Sequence, residues 1–268
     1  MKKLTTILLA AAAVMMMTMT SFAAEDPAAL LERMNAKNNS ADSMDCDMGF
    51  HAVIQTKDPA TGQDMNVNMD MAMKIQMAGL QTQNIRYKAE TAAELMGQTQ
   101  YSVIFYKDGY YYVNSDGTKL KYPMDLNAIM EKAKSTAAVA PDMDASYMKN
   151  MAVREENGMK ILSYEADAAR MNQYMQTALG DLMGSTGLGM NMTFREIKGE
   201  YVVNAEDYYT HMKMYMVMDM AVADQNMTVI MLMEGDVNNP GQPVEVAIPS
   251  TDGYQDIDTY LAELTAGN

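Results

Sequence analysis

The sequence predicts an α+β fold built on a many-stranded antiparallel sheet. Two runs place an apolar residue, mostly methionine, at every second position: "MNVNMDMAMKIQM" from Met65 to Met77, and "HMKMYMVMDM" from His211 to Met220. That period of two belongs to strands whose alternate residues face one side. Between and around them, short alternating segments are joined by glycine-bearing turns, while segments with apolar residues three and four apart mark helices at the start, middle and end.

Lys2 and Lys3, an apolar run from Leu4 to Met17, and the small residues Ser21 and Ala23 predict a secretory signal peptide over residues 1–23. The apolar run is short for a membrane span, and no cysteine follows it to carry acyl chains. The chain after cleavage is therefore expected to be exported, whether secreted, at the cell surface or periplasmic, without stable membrane insertion. Residues 24–268 have the length of one domain.

The mature chain opens with a helix, in which Asp26 is the cap, Pro27 the first helical residue, and Leu30, Leu31 and Met34 share a face. Met44, Cys46, Met48 and Phe50 then alternate with Asp45, Asp47, Gly49 and His51, which gives a half-buried strand. "KDPATGQD" reads as a hairpin loop that pairs this strand with the one from Met65 to Met77. Strands follow at "QNIRYKAE", "TQYSVIFYKDG", "YYYVNSDG" and "KLKYP". Asp125 precedes a helical pattern at Leu126, Ile129, Met130 and Ala133, and beyond the linker "STAAVAPD" a weaker helix is expected with Tyr147, Met148 and Met151. A strand at "GMKILSYEAD" leads to the clearest helix: Asp167 caps it, and Met171, Tyr174, Met175, Ala178, Leu179, Leu182 and Met183 step by three and four. After the loop "GSTGLG" come strands at "MTFREIKGEYVVNA", "YYTHMKMYMVMDMAV", "NMTVIMLMEGDV" and "PVEVAIP". A last helix is expected from about Asp256, with Ile257, Tyr260, Leu261 and Leu264.

The chain has 20 basic and 35 acidic residues; the signal segment holds two of the basic ones, so the mature net charge is 18 minus 35, or about −17. No basic stripe is available to neutralise a nucleic-acid backbone, and nucleic-acid partners are excluded. Cys46 is the only cysteine, so core packing rather than an internal disulfide must hold the exported fold. There are 33 methionines and no tryptophan, with five of the methionines in the signal segment; methionine therefore supplies much of the large apolar volume.

This order of elements resembles the LolA/LppX-like superfamily of extracytoplasmic bacterial proteins. The residues that carry the likeness are the opening helix, the Met-alternating strands, "YKDGYYYVNSDG" with "YPMDLNAIM", "ARMNQYMQTALGDLMG", "REIKGEYVVNAEDYYTHMKMYMVMDM" and "GDVNNPGQPVEVAIPSTDGY". The resemblance implies one LolA-like domain over 24–268: a strongly curved antiparallel sheet, an open half-barrel of about 11 strands by the segments above, with helices covering its concave face. It further implies an apolar small molecule, a lipid or an acylated client as partner. A monomer is expected, with no cofactor. The lipid-anchor cysteine of many relatives is missing from this chain.

Three explanations of the methionine stripes stand beside one another. The stripes can be an ordinary core face, the protein then being a structural surface module with a filled interior. They can line a ligand cavity, with Met65, Met69, Met71, Met73, Met212, Met214, Met216, Met218, Met220 and Met231 as its wall and Met171, Tyr174, Met175, Leu179 and Leu182 as a lid hinged at "GSTGLG". Or thioethers and thiolate can bind Cu(I), most compactly at Met44, Cys46 and Met48. Catalysis is not expected. Cys46 and His51 differ in parity and so belong on opposite faces of their strand, no G-x-S-x-G is present, and the carboxylates Asp70, Glu165 and Asp219 read as solvated surface.

Overall fold

The computed structural model describes residues 25–57, 61–82, 84–95, 97–125, 145–173, 191–222 and 225–266. Helix α1 (Pro27–Asn39) starts as its sequence dictates: the Asp26 carboxylate accepts a hydrogen bond from the Ala28 amide at 3.1 Å, and proline occupies the first turn. Its buried residues are Leu30, Leu31 and Met34.

Strands β1 (Ser43–Lys57) and β2 (Asp64–Ala78) pair antiparallel over their full length, from Ser43 opposite Ala78 to Lys57 opposite Asp64. The meander continues through β3 (Arg86–Leu95), β4 (Gln98–Lys107), β5 (Tyr110–Ser115) and β6 (Thr118–Pro123). Asp108 and Gly109 have φ of 51° and 80°, and Asp116 and Gly117 have 47° and 91°. Two successive positive φ values match the twist of a two-residue hairpin, which is why each turn ends in glycine.

The second half supplies β7 (Met148–Glu156), β8 (Met159–Ala166), β9 (Asn191–Val203), β10 (Tyr209–Val222) and β11 (Gln225–Val237). The short β12 (Gln255–Asp256) precedes helix α2 (Ile257–Ala266). All twelve strands form one sheet in the order β12-β6-β5-β4-β3-β2-β1-β11-β10-β9-β8-β7. Two meanders thus meet at the β1–β11 ladder, and the sheet is open and curled, with β7 and β12 as its edges. Among the described residues only β12–β6 is parallel. The expected α+β half-barrel is the observed fold.

Two local expectations are corrected. The weaker helix expected around Tyr147, Met148 and Met151 is a 3-10 turn at Ala145–Tyr147 followed by β7. A register shift between Lys149 and Ala152, with Asn150 at φ 50°, inserts one extra residue into the strand. That insertion puts Met148 and Met151 three apart on the same face and so imitates helical spacing. "PVEVAIP" is not a strand either; Pro243 and Pro249 lack the amide that a ladder needs, and the Val244 amide donates instead to the Ser43 hydroxyl. The last helix does begin where expected, with Asp256 accepting from the Asp258 amide at 3.0 Å. The helical pattern expected after Asp125 lies outside the described residues.

The core has two main centres. Leu30, Leu31 and Met34 of α1 pack against Leu162 of β8 and Val203 of β9. Ala52, Tyr147, Met171, Phe194, Ile197, Met218 and Val229 form the other. Because Leu162 pairs with Tyr201 and Tyr201 with Met212, α1 lies on the same face of the sheet as the methionine stripe of β10.

Candidate functional site: the methionine face

Residues directly opposite in a ladder share a face, so the register assembles the two stripes into one surface. Met71, Phe50, Met233 and Met214 stand side by side across β2, β1, β11 and β10. The next row is Met69, Ala52, Met231, Met216 and Ile197, and beyond it Val67, Ile54, Val229, Met218 and Phe194. On the other side Met73, Met48, Gly235 and Met212 form a row. Met65 and Met220 lie at the far end. Over residues 44–54 of β1, 65–77 of β2, 227–237 of β11 and 212–220 of β10 every position on this face is apolar or glycine, and the polar positions Thr56 and Gln225 fall beyond those spans.

Burial divides the expected cavity residues. Met218 is buried, and Met69, Met214, Met216, Met220 and Met231 pack on the core cluster around it. Met65, Met71, Met73 and Met212 are half-buried. Of the expected lid, the first turn is helical over 168–173, with the Asp167 carboxylate accepting from the amides of Ala169 and Arg170 at 3.0 and 3.2 Å. Met171, in that turn, is buried in the methionine cluster. Tyr174, Met175, Leu179 and Leu182, and the hinge "GSTGLG", lie outside the described residues.

Cys46 sits on the same face, paired with Ile75 on β2 and Val237 on β11, with Met44 and Met48 two residues away along β1. Burial, reinforced by Asp45 and Asp47, pushes its thiol up to about 11 from 9.0. The folded state therefore favours the protonated thiol. Above pH 9 the unfolded chain ionises first, so this site's contribution to stability is lost as pH rises from 9 toward 11. Cys46→Ala is expected to remove that part of the alkaline slope in urea unfolding. A thiol reagent at pH 8 should label the folded protein slowly and the unfolded protein at once; equal rates would contradict the burial.

The opposite face is polar. His51 lies there, opposite in facing to Cys46, and its Nδ1 is 2.6 Å from Asp70. His211 makes the equivalent contact with Asp236 at 2.8 Å. Asp219 accepts from Thr228 at 2.8 Å and pairs with Arg195 at 2.5 Å, while Glu165 accepts from Asn150. Burial raises Asp45, but hydrogen bonds from Gln76 and Asn238 and the nearby Lys74 ammonium outweigh it and hold the carboxyl below its usual range. The two histidine–aspartate pairs escaped sequence reading because each joins neighbouring strands, and only the register brings them together.

Recesses open on both faces among the described residues. One, of about 720 Å³, lies at the end of the sheet where Met65, Met220 and Met227 meet Thr56, Thr193 and Thr228. Two others, about 650 and 430 Å³, lie mainly on the polar face.

Residues 26–251 match DUF6612, a family of unknown function. The chain belongs to this family. No curated protein matches this DUF6612 chain. Among solved structures, similar ones include LprF from Mycobacterium bovis, at 13% identity over 84% of this chain and 97% of that one, with a TM-score of 0.38. The ywiB protein from Bacillus subtilis is similar at 11% identity over 74% and 94%, with a TM-score of 0.23. The LolA superfamily protein NE2245 from Nitrosomonas europaea is similar at 8% identity over 80% and 94%, with a TM-score of 0.22. The superfamily expected from the sequence is thus represented among the neighbours of this DUF6612 chain. Among the described residues no helix is long and apolar enough to cross a membrane.

Proposed function

We propose that the protein is exported by its N-terminal signal segment and acts as a non-catalytic binding protein, holding a lipid-like or other apolar ligand against its methionine face. The supporting observation is the apolar surface that the central parts of β2, β1, β11 and β10 form together, which stays half-buried at Met65, Met71, Met73 and Met212. An apolar face of this extent favours removal from water by roughly 25 cal/mol per Å². Unbranched thioether side chains adapt to ligands of irregular shape, as a ligand with flexible acyl chains requires.

The face also sets which substitutions test binding. Met214, Met216 and Met218 belong to the core cluster, so altering them tests stability as much as binding. Met71 and Met73 are half-buried on β2 and are the better probes. The double substitution Met71→Gln and Met73→Gln is expected to weaken uptake of a fluorescent fatty-acyl probe about tenfold, equivalent to about 1.4 kcal/mol. Unchanged uptake by the folded variant would place the ligand elsewhere. The copper alternative is set aside because Met44, Cys46 and Met48 follow one another along β1, which spreads their donors along the strand instead of converging them on one point.

A further inference from the structure

The polar face carries a feature that the methionine face does not explain. The register sets Glu234, Gly49, Ala72, Ala92 and Tyr101 side by side across β11, β1, β2, β3 and β4. The three central positions have little or no side chain, and the recesses of about 650 and 430 Å³ share them and Glu234, so together they form one trough. Four inter-strand steps of about 4.8 Å make it roughly 19 Å long. That length suits about six residues of extended chain and exceeds what one small cation spans.

Its walls are acidic. The row on one side runs Asp236, Asp47, Lys74, Glu90, and on the other His51, Asp70, Glu94. Lysines meet three of the lining carboxylates: Lys74 is 3.7 Å from Asp47, Lys88 is 2.6 Å from Glu90 and Lys213 is 2.6 Å from Glu234. Asp70 and Asp236 contact histidines instead, and Glu94 is exposed with no ion pair among the described residues. Three carboxylates thus remain without a lysine or arginine in a recess that focuses their field. At the end of the trough Tyr101 is 63% exposed and offers a ring face to a cation.

We infer that this trough is a docking site for an extended, basic polypeptide segment of a partner protein. Side chains of an extended segment alternate in direction, so lysine or arginine at every second position reaches one acidic wall while the chain lies along the glycine–alanine floor. The overall negative charge of the protein steers such a partner toward it.

The test is fluorescence anisotropy with a labelled eight-residue peptide of alternating lysine and serine, and a glutamate–serine peptide as control. Saturable binding of the lysine peptide alone, weakened about tenfold or more by raising salt from about 20 to about 200 mM, is expected. Ala72→Tyr fills the floor from an exposed strand position that tyrosine suits. Gly49→Leu does the same where an added Cβ meets nothing closer than 3.9 Å. Each is expected to weaken binding at least tenfold with the thermal midpoint kept, and Asp70→Asn with Glu94→Gln to do likewise. No saturable binding, binding indifferent to both floor substitutions, or competition by spermidine at concentrations equal to the peptide would overturn the proposal.

Discussion

Phe105→Ala is expected to lower the free energy of unfolding by about 3–5 kcal/mol. Phe105 is fully buried, stacks on Tyr112 with ring centres 4.7 Å apart, and meets the edge of Tyr254 at 5.6 Å. Tyr254 directly precedes β12, which pairs parallel with β6, and β12 leads into α2. Removing the phenyl ring therefore opens a cavity and also takes away one of the two rings that hold Tyr254 on the β4–β5 hairpin, the other being Tyr112 at 5.1 Å. Urea unfolding reads the first effect, and limited proteolysis near residue 254 reads the second. A loss below about 1 kcal/mol would mean that Tyr112 and Tyr254 close over the gap without cost.

Met218→Asp is expected to be at least as damaging, with a loss of about 4 kcal/mol or more at neutral pH. Met218 is 6% exposed among Ala52, Phe194, Ile197 and Val229, and among the described residues no charged side chain is buried. The carboxylate would be buried without a partner, which raises its pKa in the folded state above the unfolded value of about 3.9. Its penalty is therefore smallest below that unfolded value and grows as pH rises through it toward neutrality. Met218→Leu, which keeps volume and polarity, should cost less than about 1.5 kcal/mol. Thermal melts of both variants at pH 4 and pH 7 check the sign. A pH-independent loss equal in the two variants would show that shape alone matters at this position.

Much of the methionine face is legible in the sequence because parity is a local property. The alternation from Met65 to Met77 and from Met212 to Met220 fixes one face for each stripe. Lys57 and Asp64 are close in sequence and pair at the end of the β1–β2 ladder, as a hairpin requires. The Asp26, Asp167 and Asp256 caps likewise depend on neighbours within a few residues. What escapes is non-local. Joining of β1 to β11 brings stripes from opposite ends of the chain into one surface, and nothing in either stripe states that ladder. The trough over Gly49, Ala72 and Ala92 escapes for the same reason, since each is an unremarkable small residue until the register aligns them. The error at Met148 and Met151 has a different source: a bulge shifts the period of two and produces spacing that a helix shares. At "PVEVAIP" the alternation is genuine, but the flanking prolines remove pairing and the segment only buries Val246.

The methionine face as a ligand surface is the central claim, and a native mass spectrum of the protein, purified without detergent, tests it most directly. The expected result is an adduct that organic solvent strips away, that fragments as a lipid or other apolar molecule, and that is reduced in the Met71→Gln, Met73→Gln variant. A bare protein mass, unchanged after incubation with fatty-acyl probes, would contradict the claim and leave the methionines of β2 and β10 as core packing alone.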